Sequence, residues 1–175
     1  LEQISLELDH YRQAVDAIRE MRVRGAPAIG VTAGYAMAMA ARDLDVKEPS
    51  LFLEQLREAA DLITSARPTA VNLQWAVRRM LRVAEAESDL AGVKSRLLAE
   101  AQLMQEEDDA TNRRMGIAGS ELMPDGGSVL THCNTGALAT AGFGAGALGG
   151  AGIDALAAGH SLGAGALIGG VLGAA

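Results

Sequence analysis

The chain has 175 residues, of which 49% are hydrophobic, and a formal net charge of −7. This length allows one ordinary domain, or one small domain with part of a second, and the composition is apolar enough to bury a core. The negative charge argues against non-specific nucleic-acid binding, which needs a dense Lys/Arg surface.

Two helices are predicted in the first 42 residues. The first runs from Asp9 to Met21, where apolar residues recur at helical spacing. The second has Pro27 as its first residue and continues to about Arg42. Because the second helix is apolar nearly all round, we expect it to be central and buried.

Three further helices are predicted up to residue 123. The third opens at Pro49-Ser50 and stops before Arg67-Pro68, since the residue before a proline is pushed out of the α region. Its inward face is expected to contain Leu51, Leu53, Leu56, Ala59, Ala60 and Ile63. The fourth is capped by Thr69 and ends near Glu87, and the fifth runs from about Val93 to Met123 with a possible weak point at Gly116-Ile117. Residues 1–123 are therefore predicted to form an all-helical domain.

The pattern changes at the turn Pro124–Gly127. A short β-prone run over 128–133, a polar turn and a small-residue helical stretch predict a βα unit. Residues 124–175 are thus interpreted as the beginning of a Rossmann-like parallel-sheet domain that is incomplete here. Residues 143–175 are Gly/Ala-rich and irregular, and we interpret the sequence as incomplete there. A genuine Gly/Ala-rich segment and a transmembrane helix over 155–175 are alternatives, although the latter lacks flanking Lys/Arg or aromatic anchors.

Two segments place an arginine just before a predicted helix start. In the first, Arg22 and Arg24 precede Gly25, which would let the backbone approach an anion closely. In the second, Arg67 precedes Pro68 and Thr69. Helix N-termini carry partial positive charge and arginine adds bidentate geometry, so together the two could clamp one phosphate or sugar phosphate. From spacing alone, arginines that merely solvate a turn are the commoner arrangement.

The third segment is Thr131-His132-Cys133-Asn134-Thr135-Gly136. A lone cysteine is usually a small buried hydrophobe. At a strand end facing a helix N-terminus, however, Cys133 should have a lowered pKa and a reactive sulfur. With one cysteine the chain can form neither an internal disulfide nor a cysteine-based zinc site by itself. The N-terminus lacks a signal-peptide pattern, and we expect a cytoplasmic protein.

Taken in order, the three segments resemble the methylthioribose-1-phosphate isomerase family. That family is related to ribose-1,5-bisphosphate isomerases and to the regulatory subunits of translation factor eIF2B. The resemblance covers about residues 12–148 and includes the acidic stretch Gln105–Arg113. Cys133 with residues 134–140 favours the isomerase branch, because the translation-factor branch lacks this cysteine.

The resemblance implies an α/β protein overall, homodimeric, with the site between its two domains. It implies conversion of 5-methylthioribose 1-phosphate into 5-methylthioribulose 1-phosphate in methionine salvage, without a metal or organic cofactor. Cys133 would be the general acid/base at the C1/C2 centre, where either a proton or a hydride passes after ring opening. The residues expected to bind the substrate and its phosphate are Arg24, Gly25, Ala26, Arg67, Asn134, Thr135 and Gly136. No nucleic-acid or membrane partner is implied.

One family feature is missing from the sequence. The second catalytic residue of the family is an Asp in a downstream Gly-Ala-Asp-Arg segment, which this chain does not contain. Asp154 has no matching context and does not inherit the role. If these residues are the whole polypeptide, we expect it to be inactive. A non-enzymatic regulatory or assembly module of the translation-factor branch, and an inactive truncated fragment, are the alternatives.

Overall fold

The computed structural model describes residues 6–87, 89–122 and 140. These residues form five helices: α1 (Tyr11–Arg19), α2 (Ala26–Asp43), α3 (Pro49–Ser65), α4 (Val71–Glu85) and α5 (Leu90–Ser120). The described part of the chain contains no strand, which confirms its predicted helical character. The predicted strand over 128–133 lies outside the described residues, as does the rest of the predicted Rossmann-like segment apart from Thr140.

The chain divides into two compact units. One comprises Leu8–Met104, and the other comprises Leu1–Glu7 with Gln105–Ala175. The predicted domain boundary between residues 123 and 124 stays a prediction. Within the described ranges, no helix is long and apolar enough to cross a membrane, and the candidate span at 155–175 falls outside them.

Helix α1 is held at its start by its own side chains. His10 is the N-cap residue, and its Nδ1 accepts a hydrogen bond from the Arg12 amide at 3.2 Å. In return, the Gln13 side-chain oxygen accepts from the His10 amide at 3.0 Å. This reciprocal capping satisfies amides that have no partner within the helix. The buried face of α1 is Ala14, Val15, Ala17 and Ile18.

Helix α2 is the centre of the Leu8–Met104 unit. Every residue from Ala28 to Ala41 is buried, which confirms the expectation of a central helix. Most of its side chains are small, so α1, α3 and α4 can all pack against it. At its far end the Lys94 ammonium of α5 donates to the carbonyl oxygens of Leu44, at 2.7 Å, and Arg42, at 3.2 Å. A lysine at this position opposes the partial negative charge of the helix C-terminus.

Helix α3 begins as predicted at Pro49, but its inward face differs from the prediction. Glu48 caps it by accepting from the amides of Ser50, at 3.1 Å, and Leu51, at 2.7 Å. The buried positions are Phe52, Leu56, Ala59, Ala60 and Ile63. Leu51, predicted to face inward, is 43% exposed, and Leu53 is half-buried. The stripe runs in steps of three and four residues from Phe52, and Leu51 lies about 100° away from it on the helix.

Helix α5 is continuous from Leu90 to Ser120, so the expected weak point at Gly116-Ile117 does not interrupt it. In the Leu8–Met104 unit its buried residues are Val93, Leu97, Ala101 and Met104. In the other unit, the side-chain amide of the buried Asn112 donates to the Asp108 carbonyl at 2.9 Å.

Candidate functional site

The first arginine-bearing segment begins at the end of α1, which closes with a left-handed residue. Met21 has φ 59°, and its amide donates to the Ile18 carbonyl at 3.3 Å. The Arg22 amide reaches back to the Ala17 carbonyl at 2.9 Å. This pair of bonds is the Schellman motif, whose left-handed position is usually a glycine. The motif turns the chain sharply and so determines where Arg22 and Arg24 lie after the end of α1.

Gly25 is the N-cap of α2 and has φ 91° and ψ 134°. Its carbonyl accepts the first helical bond, from the Ile29 amide at 3.0 Å. Ala26 is the first helical residue and Pro27 the second, one position later than predicted for the proline. No side chain caps this end of the helix. The Ala26 and Ala28 amides therefore lack a capping side chain, which is the condition under which a helix N-terminus attracts an anion.

The second arginine-bearing segment is a tight turn before α4. The Ala70 amide donates to the Arg67 carbonyl at 3.0 Å, and the Gln74 side-chain amide donates to the Pro68 carbonyl at 2.6 Å. The predicted cap at Thr69 is wrong: the N-cap is Ala70, which makes no side-chain cap. The turn delays the first helical residue to Val71, so Thr69 lies one residue too early to cap it. This helix start, like that of α2, is left without a side-chain cap.

Gly30 and Asn72 bring the two helix starts together. A Cβ built on Gly30 would lie 3.2 Å from the Asn72 carbonyl oxygen and 3.4 Å from the Asn72 Cβ. Gly30 is the fifth residue of α2 and Asn72 the second of α4. A helix rises about 1.5 Å per residue, so Ala26 lies about 6 Å along α2 from this contact. The uncapped ends of α2 and α4 therefore begin on the same side of the unit.

Arg24 and Arg67 also differ from many other arginines in their ion pairing. The arginines with a carboxylate partner are Arg19, Arg22, Arg42, Arg57, Arg79, Arg96 and Arg113. Arg22, in the same turn as Arg24, binds Glu20 at 2.6 Å. Arg24 and Arg67 form no ion pair or hydrogen bond with any residue that the structure describes. Their charges are thus available to an anionic ligand.

A second basic surface lies elsewhere in the unit, in a groove of about 460 Å³ between α4 and α5. Its lining residues are Trp75, Arg79, Arg82, Val83, Ala86, Arg96 and Glu100. Arg79 pairs with Glu100 and lies over the Trp75 ring, 5.4 Å from its centroid. Arg96 pairs with Glu87 at 2.8 Å. Two of its three arginines are therefore neutralised by carboxylates, and the groove is a weaker candidate for a phosphate than the two helix starts.

The remaining predicted site residues, Cys133 and Asn134 to Gly136, lie outside the described residues. Across residues 6–87 and 89–122, no cluster of three or more His, Cys, Asp or Glu side chains could hold a metal ion.

Sequence reasoning missed Gln74, Gly30 and the left-handed Met21. Gln74 is the fourth residue of α4 and reaches back across the helix start to the turn. A glutamine at the third helical position often forms a hydrogen bond with the backbone before the helix. Gln74 is at the fourth position, so the sequence indicated this role only weakly. Gly30 had no such signal, because the need for a glycine arises only when α4 packs against α2.

Comparisons with known proteins agree on one family. Residues 22–156 match the model of the Initiation factor 2 subunit family. Similar curated proteins include the methylthioribose-1-phosphate isomerase of Desulforudis audaxviator, 48% identical over 82% of this chain and 41% of that protein. The corresponding protein of Syntrophotalea carbinolica is 47% identical over 82% of this chain and 42% of its own length. The chain therefore spans about two fifths of the length of these relatives.

Two solved structures resemble the fold. The 5-methylthioribose 1-phosphate isomerase from Pyrococcus horikoshii aligns with a TM-score of 0.75 and 39% identity, over 81% of this chain and 40% of that one. The translation initiation factor eIF-2B subunit delta from A. fulgidus aligns with a TM-score of 0.70 and 42% identity, over 77% of this chain and 40% of that one.

Proposed function

The chain belongs to the Initiation factor 2 subunit family, and on that premise we propose that it supplies the phosphate-binding part of a sugar-phosphate isomerase. The observation that carries the proposal is the pair of uncapped helix starts, joined at Gly30 and Asn72, beside two arginines without carboxylate partners. Arg24, Gly25 and Ala26 bind the substrate phosphate at the start of α2. Arg67 binds it from the turn before α4.

The substrate we propose is 5-methylthioribose 1-phosphate, and the product is 5-methylthioribulose 1-phosphate. The proposal rests on the names of relatives that are 47–48% identical to this chain. The phosphate blocks C1 of the substrate, so no free aldehyde exists and the ring must open before isomerisation. Hydrogen then passes between C2 and C1. A dianionic phosphate held by two guanidinium groups and two helix starts would keep C1 in place during that transfer.

Cys133 is the proposed general acid/base at C1 and C2, with Asn134, Thr135 and Gly136 binding the substrate beside it. A thiol is suited to this role because a nearby helix N-terminus or cation lowers its pKa toward neutrality. The residues that follow residue 123 would begin a Rossmann-like domain that carries this thiol. We also propose a cytoplasmic homodimer without a metal or organic cofactor.

The proposal concerns a protein of the relatives' length, because this chain spans 41–42% of them. The direct test incubates the protein with 5-methylthioribose 1-phosphate and measures ketose formation. Unphosphorylated 5-methylthioribose is the matched control substrate. We expect ketose from the phosphate ester alone. A protein that neither binds the ester by calorimetry nor forms ketose would contradict both the phosphate site and the activity.

A regulatory module is the second candidate, and one observation favours it. The chain aligns with the translation initiation factor eIF-2B subunit delta at a TM-score of 0.70 and 42% identity, close to its likeness to the isomerase. In this case the same helix starts would bind a sugar phosphate as an effector. Saturable binding of the ester without ketose formation, in a protein with Cys133 intact, would favour this candidate over the isomerase.

A further inference from the structure

Gln74 ties the Arg67 turn to α4. Its side-chain nitrogen donates to the Pro68 carbonyl oxygen at 2.6 Å, spanning six residues. Pro68 directly follows Arg67, so this bond fixes the peptide next to the arginine. Gln74 itself is held in the helix ladder, where its backbone amide donates to the Ala70 carbonyl at 3.2 Å.

The turn has few other restraints. Within it the Ala70 amide binds the Arg67 carbonyl at 3.0 Å, and no side chain caps the start of α4. The hydroxyl of Thr69 does not cap the helix, and Thr69 is exposed. The Arg67 guanidinium has no partner among the described residues that could hold it in one orientation. The direction of the Arg67 side chain therefore depends on the backbone of residues 67–70.

We propose that Gln74 is a positioning residue for the phosphate site: by fixing the Pro68 carbonyl it holds the turn that presents Arg67 to a phosphate ester. The inference rests on the proposed phosphate role of Arg67. Gln74 is not expected to contact the phosphate itself. Its side-chain amide is already committed to Pro68, and it acts on the ligand only through Arg67.

Isomerase kinetics with 5-methylthioribose 1-phosphate, measured on a protein of the relatives' length, provide the test. Gln74→Met keeps the length of the side chain but removes the donor. We expect KM to rise about threefold to tenfold, the effect of one lost neutral hydrogen bond, with kcat within about twofold. A KM effect alone is expected because phosphate binding is the same in the ground state and the transition state. Gln102→Met, at an exposed glutamine of α5 with no hydrogen bond among the described residues, is the control.

A double-mutant cycle separates positioning from a general structural effect. If Gln74 acts through Arg67, then Gln74→Met adds little to the KM of Arg67→Ala. Full additivity of the two effects would overturn the inference, and so would an unchanged KM in Gln74→Met when Arg67→Ala raises it. Neither of these results would contradict the proposed function.

The proposed function has its own point of failure. An unchanged KM in Arg67→Ala would remove the phosphate role of Arg67 and the inference with it. Hydrogen exchange of the Ala70 amide provides a readout that needs no ligand, since that amide closes the turn. Faster exchange in Gln74→Met than in Gln102→Met supports the positioning role, and equal exchange rates would overturn it.

Discussion

Gly30 of α2 lies against the backbone of Asn72 in α4, with 3.2 Å between a Cβ built at residue 30 and the Asn72 carbonyl oxygen. The neighbour is main chain and cannot rotate away as a side chain could. Gly30→Ala would gain about 1 kcal/mol in helix propensity. It would lose about 1–3 kcal/mol through overpacking and push apart the two helix starts. We expect net destabilisation, measured by urea unfolding.

Gly34→Ala is the matched comparison, because the atom that its new Cβ meets first is the terminal methyl of Met104. A methionine side chain is flexible and can move aside. Gly34→Ala should therefore cost less than Gly30→Ala, although its initial overlap is greater. A Gly30→Ala protein at least as stable as the parent would mean that α4 shifts freely over α2.

Met21→Gly should stabilise the protein. Met21 holds the left-handed position of the Schellman motif with φ 59°, and its side chain is 52% exposed. Relieving the Cβ strain gains about 1–2 kcal/mol, from which the greater flexibility of glycine in the unfolded chain subtracts part. The expected net gain is about 0.5 kcal/mol in thermal or urea unfolding. Met21→Ala keeps the Cβ and is the control, and an equal gain there would contradict the strain argument.

Arg24→Ala and Arg67→Ala should each weaken binding of the phosphate ester. Removing one charged donor from a phosphate costs about 1.5–3 kcal/mol, which is about tenfold to 150-fold in Kd. Calorimetry with 5-methylthioribose 1-phosphate measures the change. Arg22→Ala is the control in the same turn, since Arg22 is already paired with Glu20 at 2.6 Å. Equal losses in all three variants would point to net charge rather than to a defined site.

Glu48→Gln should destabilise the protein near neutral pH and lose that effect in acid. Hydrogen bonds from the Ser50 hydroxyl, and from the Leu51 and Ser50 amides, hold the pKa of the Glu48 carboxyl below its ordinary value. A carboxylate with a lowered pKa in the folded state stabilises the fold above its unfolded-state pKa. That stabilisation disappears as the pH falls through the lower, folded-state pKa.

Urea unfolding of Glu48→Gln and its parent at several pH values between neutrality and strong acid tests this expectation. Glu58→Gln, at an exposed glutamate of the same helix, is the control for the loss of one negative charge. A difference between Glu48→Gln and the parent that grows toward low pH would have the wrong sign for an N-cap carboxylate.

Cys133→Ser should lower kcat by about a hundredfold or more while leaving ester affinity nearly unchanged. A serine hydroxyl has a much higher pKa than a thiol and is a poorer proton donor and acceptor near neutrality, and general acid/base groups typically contribute about 10²–10⁴ in rate. The coupled ketose assay gives kcat, and calorimetry gives affinity. Near-normal turnover would remove Cys133 from the chemistry and leave the phosphate site standing.

Much of the helical part could be predicted from sequence because it depends on local signals. The burial of α2 followed from a sequence that is apolar nearly all round, and the start of α3 followed from Pro49. The helix ends were harder to predict from the sequence. The N-cap residue of α4 is Ala70 and not Thr69, because the turn held by the Arg67 and Pro68 carbonyls determines where the helix can begin.

In the candidate site, too, the local features could be predicted from the sequence and the long-range contacts could not. The arginines at 24 and 67 were identified from residue type beside a helix start. That Arg22 is paired with Glu20 while Arg24 is left without a carboxylate could not be predicted, since both lie in one turn. The joining of the two helix starts depends on Gly30 and Asn72, which are 42 residues apart and whose contact has no local signature. The roles of Cys133 and of residues 134–136 stay predictions.

The two ends of helix α2 differ in how their partial charges are balanced, and this difference links the stability of the protein to ligand binding. The Lys94 ammonium neutralises the carbonyl end, whereas the amide end begins at Gly25 without a capping side chain. Because Gly25 has φ 91°, a serine or aspartate at this position would be strained, so a side-chain cap is disfavoured there. The ligand-free protein leaves the partial positive charge at this end without a countercharge, and a bound anion would supply one. Phosphate esters should therefore raise the melting temperature. Gly25 thus keeps the amide end of α2 open for an anionic ligand.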